Sequence, residues 1–261
     1  MIVMELRRKN VIVTGAASGL GKELTKQLIN KGCKVAAIDI NEDNLKKLRE
    51  EINNRRLKTY VVDMSSQDSI KNFRSDYLKD YTDVDVIINN AGIIQPFTKV
   101  SELNDGIINK VMNVNFFGPL NLIRYFMEDL TKDRYEQYIV NVSSMGGFFP
   151  FPGQTVYGAS KAALKILTEG LYAELMDSNV HVMVVFPGAI NTDIAKNSNV
   201  EIDNVNGSYK LLEADQAAAQ IIKGMEKNKF KLFLGSDSKF LKFLYKINAK
   251  WAIRFIGNKM K

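Results

Sequence analysis

Several residue types are scarce in this chain of 261 residues, and each scarcity closes a route. There is one cysteine, Cys33, so no disulfide can form within the chain, and a reducing compartment suits it. Cys33 reads as a small buried apolar side chain rather than a reactive thiol. There is one histidine, His181, set between Val180 and Val182 in a strand-like run. A lone histidine without a Cys/His cluster cannot build a metal centre, so no metal is expected and His181 reads as structural. No stretch approaches the ~18 consecutive apolar residues that span a bilayer. The short start, with Arg7, Arg8 and Lys9, lacks the apolar core of a signal peptide, so a cytoplasmic protein is expected. Fixed-period repeats and low-complexity linkers are also missing. What remains is 46 % hydrophobic and 25 % charged, an ordinary globular composition on a chain long enough to bury a sizeable core.

The net charge of +7 is unevenly spread. Residues 223–261 carry eleven Lys/Arg against Glu226 and Asp237, a balance of +9, so the rest of the chain sums to −2. The basicity belongs to the C-terminal tail and not to the body.

Along the body, β-branched runs alternate with helical patterns. Val11-Ile12-Val13 leads into Thr14-Gly15-Ala16-Ala17-Ser18-Gly19-Leu20-Gly21, followed by a helix with Leu20, Leu24 and Leu28 on one face. A strand, a glycine turn and a helix N-terminus let a backbone approach a diphosphate closely. The spacing is TGxxxGxG, not GxGxxG, and glycine turns also simply cap helices. Lys34 to Asp39 is a buried-type strand ending in an acid 24 residues after Gly15, near the spacing of the carboxylate that binds an adenosine ribose. That carboxylate would repel a 2′-phosphate, which favours NAD over NADP. Asp39 could instead be the N-cap of a helix over 41–53. Further strands are expected at 60–62, 84–88, 138–142, 180–186 and 230–234, with helices over 65–79, 101–130, 154–177 and 215–227. Strands alternating with helices imply a Rossmann-like, doubly wound α/β fold, a seven-stranded parallel sheet whose ligands sit beyond the carboxyl ends of the strands. The polar segment 189–212 is long for a connection, which suggests a lid.

The chemistry centres on residues 144–161. Tyr157 and Lys161, four apart on a helix, share one face. A phenol of pKa ~10 is a poor base, and a neighbouring ammonium would lower that value toward working pH. Ser144, at a strand end, offers a hydroxyl to orient a carbonyl or alcohol oxygen. Taken alone, a Tyr/Lys pair at this spacing is most often a solvated helix face.

Together these stretches resemble the short-chain dehydrogenase/reductase family, in its order, over about Lys9 to Leu234. The parts are Thr14 to Gly21, Asp39, Asp63, Asn89-Asn90-Ala91-Gly92, Asn115, Ser144, Tyr157, Lys161, Pro187-Gly188 and Thr192. The resemblance implies that Tyr157 is the catalytic acid/base and that Lys161 lowers its pKa and holds the nicotinamide ribose. Ser144 would hold the substrate oxygen, and Asn115 would support a water-linked proton relay. Gly15, Ser18, Gly19, Leu20 and Gly21 would cradle the cofactor, with Asp63 and Met64 beside the adenine. Asn90, Ala91 and Gly92 would run along the ribose, and Pro187, Gly188 and Thr192 would complete the site. It also implies a homodimer or homotetramer packed through the two long helices. The expected activity is hydride transfer between NAD(H) and a secondary alcohol or ketone. An NADPH-dependent 3-oxoacyl reductase and a catalytically silent dinucleotide-binding protein are the alternatives. Phe97, Phe148, Phe149 and Phe151 hint at an apolar pocket.

The sequence departs from the family after Leu234, where a tail, 238–261, follows the domain 1–237. Many members end near there in an Asp-Gly-Gly stretch. The longer tail resembles members that act on lipid-like or bulky apolar ketones and alcohols. From Lys239 to Ile256, Lys242, Lys246, Lys250 and Arg254 form one stripe. Phe240, Leu244, Ile247, Trp251 and Phe255 form another, widened by Leu241 and Phe243. One amphipathic helix is expected. Its apolar face either packs on the protein or a partner chain, or lies peripherally on an anionic membrane. Nucleic acid is not an expected partner, since no base-stacking motif accompanies the charge.

Overall fold

Val11-Ile12-Val13, Val35-Ala36-Ala37-Ile38 and Val86-Ile87-Ile88 are apolar on both faces, as strands are when helices cover both sides of a sheet. The computed structural model describes residues 5–132, 135–191, 194, 198 and 211–260 and places these runs at the centre of one seven-stranded sheet. Its strands are β1 (Asn10–Thr14), β2 (Lys34–Asp39), β3 (Leu57–Val61), β4 (Val86–Asn89), β5 (Gln137–Val142), β6 (Val180–Pro187) and, after a short separate pair β7 (Ile190–Asn191) and β8 (Leu212–Glu213), β9 (Lys231–Leu234). The order is β3-β2-β1-β4-β5-β6-β9, with every pairing parallel. The order reverses direction beside β1, so the glycine turn after β1 lies at the switch point where such sheets bind ligands.

Side chains alternate across the sheet. Val11 and Val13 point to one layer, built from Leu20, Leu24 and Leu28 of α1 (Gly19–Asn30), Leu45 and Leu48 of α2 (Glu42–Ile52), and Ile221 and Met225 of the later helix over 214–226. Ile12 points to the other, built from Ile70, Phe73 and Tyr77 of α3 (Gln67–Asp80) and Leu122, Phe126 and Leu130 of the helix over 118–131. Each fully buried Leu or Phe contributes about 1.5–3 kcal/mol. Cys33 is fully buried, its thiol donating to the Leu6 carbonyl at 3.1 Å, and burial pushes its pKa up to about 12. It is inert, as read from the sequence.

Three expectations are corrected. The helix expected over 101–130 is broken. It comprises α4 (Asp105–Met112), a π-helical turn over Asn113–Phe117, and α5 (Gly118–Thr131), with Pro119 in the first turn of α5. Proline lacks the N–H that would continue the ladder, and π-turns often mark functional positions. β3 begins at Leu57 rather than Tyr60, because alternation carries the pairing with β2 further back. The tail is two helices, not one. After α6 (Thr155–Glu174) and α7 (Ala214–Glu226) come α8 (Ser236–Ile247) and α9 (Ala249–Lys259), separated at Asn248. Asn248 is extended, and its side chain accepts the Trp251 N–H at 2.9 Å, an N-cap that starts a new helix. Most of 189–212 lies outside the described residues.

Candidate active site

The carboxyl ends of β1, β2, β4, β5 and β6 form one edge, and the candidate residues gather there. Gly15 has φ of +62°, which only glycine adopts cheaply, and a Cβ there would sit 2.9 Å from the Ala91 Cα. A Cβ on Gly21 would lie 2.0 Å from the Gly15 carbonyl oxygen. Both glycines are therefore required by the closeness of the turn to the helix and to residues 90 and 91. Thr14 closes the cradle. Its Oγ1 accepts the N–H groups of Asn90 (2.9 Å) and Ala91 (2.8 Å), while Asn90 Nδ2 donates to the Thr14 and Gly15 carbonyls at 3.0 and 3.2 Å. The first turn of α1, through Gly19, Leu20 and Gly21 after Ser18, has neither a capping side-chain bond nor an acid. A helix N-terminus with free N–H groups and no acid in its first turn suits a diphosphate.

Asp39 is not a helix cap; Asn41 caps α2, its side chain accepting the Asn44 N–H at 2.9 Å. The Asp39 carboxylate accepts instead from Ala17 N at 3.0 Å, inside the glycine turn, and from Asn41 N at 3.0 Å. It thus stands at the mouth of the cradle. Asp63 turns its carboxylate to Ser65, accepting from N (2.8 Å) and Oγ (2.7 Å), and Met64 is buried beside it. Thr192 lies outside the described residues. Pro187 and Gly188 end β6, where a Cβ on Gly188 would overlap the Asp237 carboxylate.

Ser144, Tyr157, Lys161 and Asn115 come together at the ends of β5 and α6. Ser144 Oγ accepts the Gly146 N–H at 3.0 Å, so its own hydrogen is left to donate outward. A Cβ on Gly146 would lie 3.3 Å from the Tyr157 ring and 3.5 Å from Ser144 Oγ, so glycine admits the phenol to the hydroxyl. Burial raises the Tyr157 pKa, and the hydrogen bond from Ser144 opposes that rise. Lys161 is buried and donates to the Val142 carbonyl at 3.0 Å; burial lowers its pKa to about 8. The Ser144 hydroxyl thus favours the phenolate against burial. The ammonium instead faces Gly92, where a Cβ would be 2.9 Å from Nζ and 3.3 Å from Asn115 Oδ1. Asn115, in the π-turn, is pinned on both sides. Oδ1 accepts from Ile93 N (2.9 Å), and Nδ2 donates to Ile93 O (2.9 Å) and Ser160 Oγ (3.0 Å).

The aromatic loop after Ser144 is largely packing. Phe149 is buried with Leu241, Leu244 and Ala252 of the tail, and Phe151, Phe255 and Ile256 flank them. Phe148 packs edge-on against Phe186 and Phe233. The tail therefore forms a wall behind the loop that leaves Ser144. Phe97 stays about half exposed.

Two residues of this site carry no signal in the sequence. Gln95 is fully buried, and its Oε1 accepts the N–H groups of Val156 and Tyr157, each at 2.9 Å. Asp237 accepts from Ala189 N at 2.7 Å and Ser238 N at 2.8 Å, tying the turn after β6 to the start of α8. Both act across long sequence separations, where spacing patterns are blind.

A parallel sheet with a glycine cradle at its switch point and a Ser/Tyr/Lys cluster on the same edge defines a dinucleotide-dependent oxidoreductase of the Rossmann type. Residues 9–203 match the family model of the short chain dehydrogenases, and the chain belongs to that family as an NAD(P)-dependent dehydrogenase/reductase. A 3-oxoacyl-[acyl-carrier-protein] reductase of Thermotoga maritima is 35 % identical over 195 residues, 74 % of this chain and 78 % of that one. Some other curated relatives are longer, and the chain covers about 60 % of their length. A short chain dehydrogenase/reductase of Burkholderia phymatum, solved in complex with NAD, superposes with a TM-score of 0.81 at 22 % identity, covering 88 % of this chain and 90 % of that one. A short chain dehydrogenase of Burkholderia cenocepacia, solved in complex with NADP, gives 0.80 at 25 % identity, covering 95 % and 96 %.

Proposed function

We propose that this enzyme prefers NAD(H) and interconverts a secondary alcohol and its ketone on an apolar, lipid-like substrate, with Tyr157 as the acid/base. The observation that carries this reading is the Ser144 hydroxyl set against the Tyr157 phenol beside the buried Lys161, on the same edge as the glycine cradle. The dinucleotide supplies or accepts the hydride. Gly15, Ser18, Gly19, Leu20, Gly21, Asp63, Met64, Asn90, Ala91, Gly92, Pro187 and Gly188 would hold it, with Lys161 and Tyr157 at its reactive end. Asp39 at the cradle mouth favours ribose hydroxyls over a 2′-phosphate.

In the reducing direction, Ser144 donates a hydrogen bond to the substrate carbonyl oxygen. Tyr157 then gives that oxygen its proton, so one phenolic O–H breaks as the alcohol O–H forms. Burial keeps the phenol protonated at neutral pH, the form this step needs. Lys161, with a pKa near 8, exchanges protons close to working pH and faces Asn115 across Gly92, a route for reprotonation. Oxidation runs the same proton backward onto the phenolate.

The tail-backed loop with Phe148 and Phe151 supports an apolar substrate. A 3-oxoacyl reductase is the second reading, favoured by the Thermotoga maritima relative; Asp39 opposes its NADPH-dependent form. In the same reading the enzyme is a cytoplasmic homodimer or homotetramer. A groove between α5 and α6 is lined by Leu120, Ile123, Met127 and Leu167, and Ile166 and Tyr172 are exposed on α6. Tyr157→Phe tests the chemistry: NADH binding should persist while turnover of a good substrate falls ~10² to 10⁴-fold. A variant that keeps most of its turnover removes Tyr157 from the role. A wild-type enzyme that binds NADH yet turns over no carbonyl is the silent binding protein instead.

A further inference from the structure

In sequence the tail reads as one apolar stripe that either docks on the protein or lies on a membrane. The structure divides that stripe in two. At about 100° per residue, Ser238, Leu241 and Leu244 of α8 share an inward arc, and all three are buried. Ser238 Oγ donates to the Phe186 carbonyl at 2.8 Å, and Leu241 and Leu244 pack on Phe149 and Ala252. On a separate arc of the same helix, Phe240, Phe243 and Ile247 are 51 %, 62 % and 64 % exposed. Lys239, Lys242 and Lys246 form a third arc beside it, roughly 60° wide. The second helix adds Trp251, half exposed and stacked on Phe255 at 5.3 Å, flanked by Lys250 and Arg254.

Residues 238–261 carry seven Lys/Arg and no acid. The one carboxylate at the tail's start, Asp237, is turned inward to Ala189 and Ser238. A second copy seated on this face about a two-fold axis would set cations against cations with no acid between them. Large apolar side chains, a tryptophan and a row of lysines with long apolar stems match an anionic lipid surface instead. This face lies beyond residue 203, where the matched family model ends.

We propose that Phe240, Phe243, Ile247 and Trp251, with their lysine border, are a docking face for an anionic lipid bilayer, carried on helices whose opposite face is fixed to the loop behind Ser144. The inference does not depend on the reaction or the cofactor.

Flotation of the full chain tests it, with vesicles of phosphatidylcholine alone or enriched in phosphatidylserine, at low and high salt. The protein should float with the anionic vesicles at low salt and be released by high salt. Phe240→Ser/Phe243→Ser/Ile247→Ser removes the outer arc without touching the docked one. It should melt like the wild type and bind at least ten-fold more weakly. Lys239→Gln/Lys246→Gln/Lys250→Gln should weaken binding roughly a hundred-fold, since each cation near an anionic surface contributes about five-fold. Failure of the full chain to float at low salt overturns the proposal. So does unchanged binding by the triple Ser variant. A triple Ser variant that sediments as a smaller oligomer than the wild type overturns it as well, since the face would then be covered by another copy. Salt-sensitive capture of an acidic protein, without flotation, overturns it in favour of a protein partner.

Discussion

Gln95→Leu removes a side chain that lies sixty-two residues before Tyr157 and still decides where it sits. Helix α6 starts without a capping side chain of its own and without an acid in its first turn. Gln95 takes that place, its Oε1 accepting from Val156 N and Tyr157 N while Nε2 donates to the Gly153 carbonyl at 2.8 Å. Its own carbonyl receives Gln154 Nε2 at 2.8 Å, which fixes the residue in turn. Leucine is of similar size, so the change deletes hydrogen bonds more than volume. Three side-chain bonds at ~1 kcal/mol each give a loss of about 3 kcal/mol. At roughly 2–4 °C per kcal/mol for a chain of this size, the melting temperature should fall about 6–12 °C. The kinetic consequence is separate. A first turn free to shift by about 1 Å misplaces the phenol, and such misplacement costs on the order of 10²-fold in turnover.

The assay pairs kcat on a ketone with NADH affinity, at a temperature where circular dichroism shows both proteins folded. The cofactor affinity should change less than about two-fold, because the cradle at Gly15 and Gly21 does not touch Gln95. Gln95→Glu retains an acceptor for both N–H groups and places a negative charge at a helix N-terminus, while losing the donor to Gly153. It should recover most of kcat without recovering all of the stability. A Gln95→Leu protein that melts early but keeps wild-type kcat would refute the positioning role and leave a plain structural cap.

Asp39→Ser should narrow the preference for NAD over NADP by about 10²-fold, since a carboxylate near a 2′-phosphate in a partly screened site costs a few kcal/mol; titration of both cofactors measures it. Equal or tighter NADPH binding by the unaltered enzyme ends that argument. Lys161 offers a pH test. Its folded pKa, about 8, is below its unfolded value of 10.5, so the unfolded chain holds the extra proton between those pH values. The Lys161 contribution to stability should therefore rise with pH across that window, by on the order of 3 kcal/mol in all at about 1.4 kcal/mol per unit, offset above about pH 9 by the Cys33 thiol that burial keeps protonated. Lys161→Met should lower the slope by that contribution in urea melts of the cofactor-free protein. An identical slope in both proteins would show that the buried amine is not its source.

The doubly wound sheet was legible because its signals are local. Glycines before a helix, acids at strand ends and β-branched runs each report on a few neighbouring residues. Ser144, Tyr157 and Lys161 were legible because a strand end and one helical turn suffice to relate them. What escaped is what depends on packing between distant segments. The polarity pattern over 101–130 runs through the π-turn without a break. Gln95 looks like a loop residue until the start of α6 lands on it. The tail's stripe in sequence does not say which half the body will cover; the cap at Asn248 and the packing of Leu241 and Leu244 against Phe149 decide that. The contact of Ser144 with the phenol and the hydrogen bond of the Lys161 ammonium to the Val142 carbonyl also depend on such packing.

The ten residues from Ser144 to Gly153 connect these features mechanically. The loop starts at the hydroxyl that meets the phenol. It passes through Phe149, which the tail clamps, and ends at the carbonyl that anchors Gln95. Gln95 then holds the N–H of Tyr157 itself. Ser144 and Tyr157 are thus set by the two ends of one loop whose middle rests on α8 and α9. Asp237 adds a second tie, from the start of α8 to the turn after β6 that carries Pro187 and Gly188. Hydrogen bonds at both loop ends and an apolar clamp at its centre hold Ser144 and Tyr157 more tightly than any one of them could, since each restrains a different degree of freedom. A tail that lies beyond the matched family model is in this way built into the placement of the site, and its apolar inner face cannot be withdrawn without loosening the loop that carries Ser144.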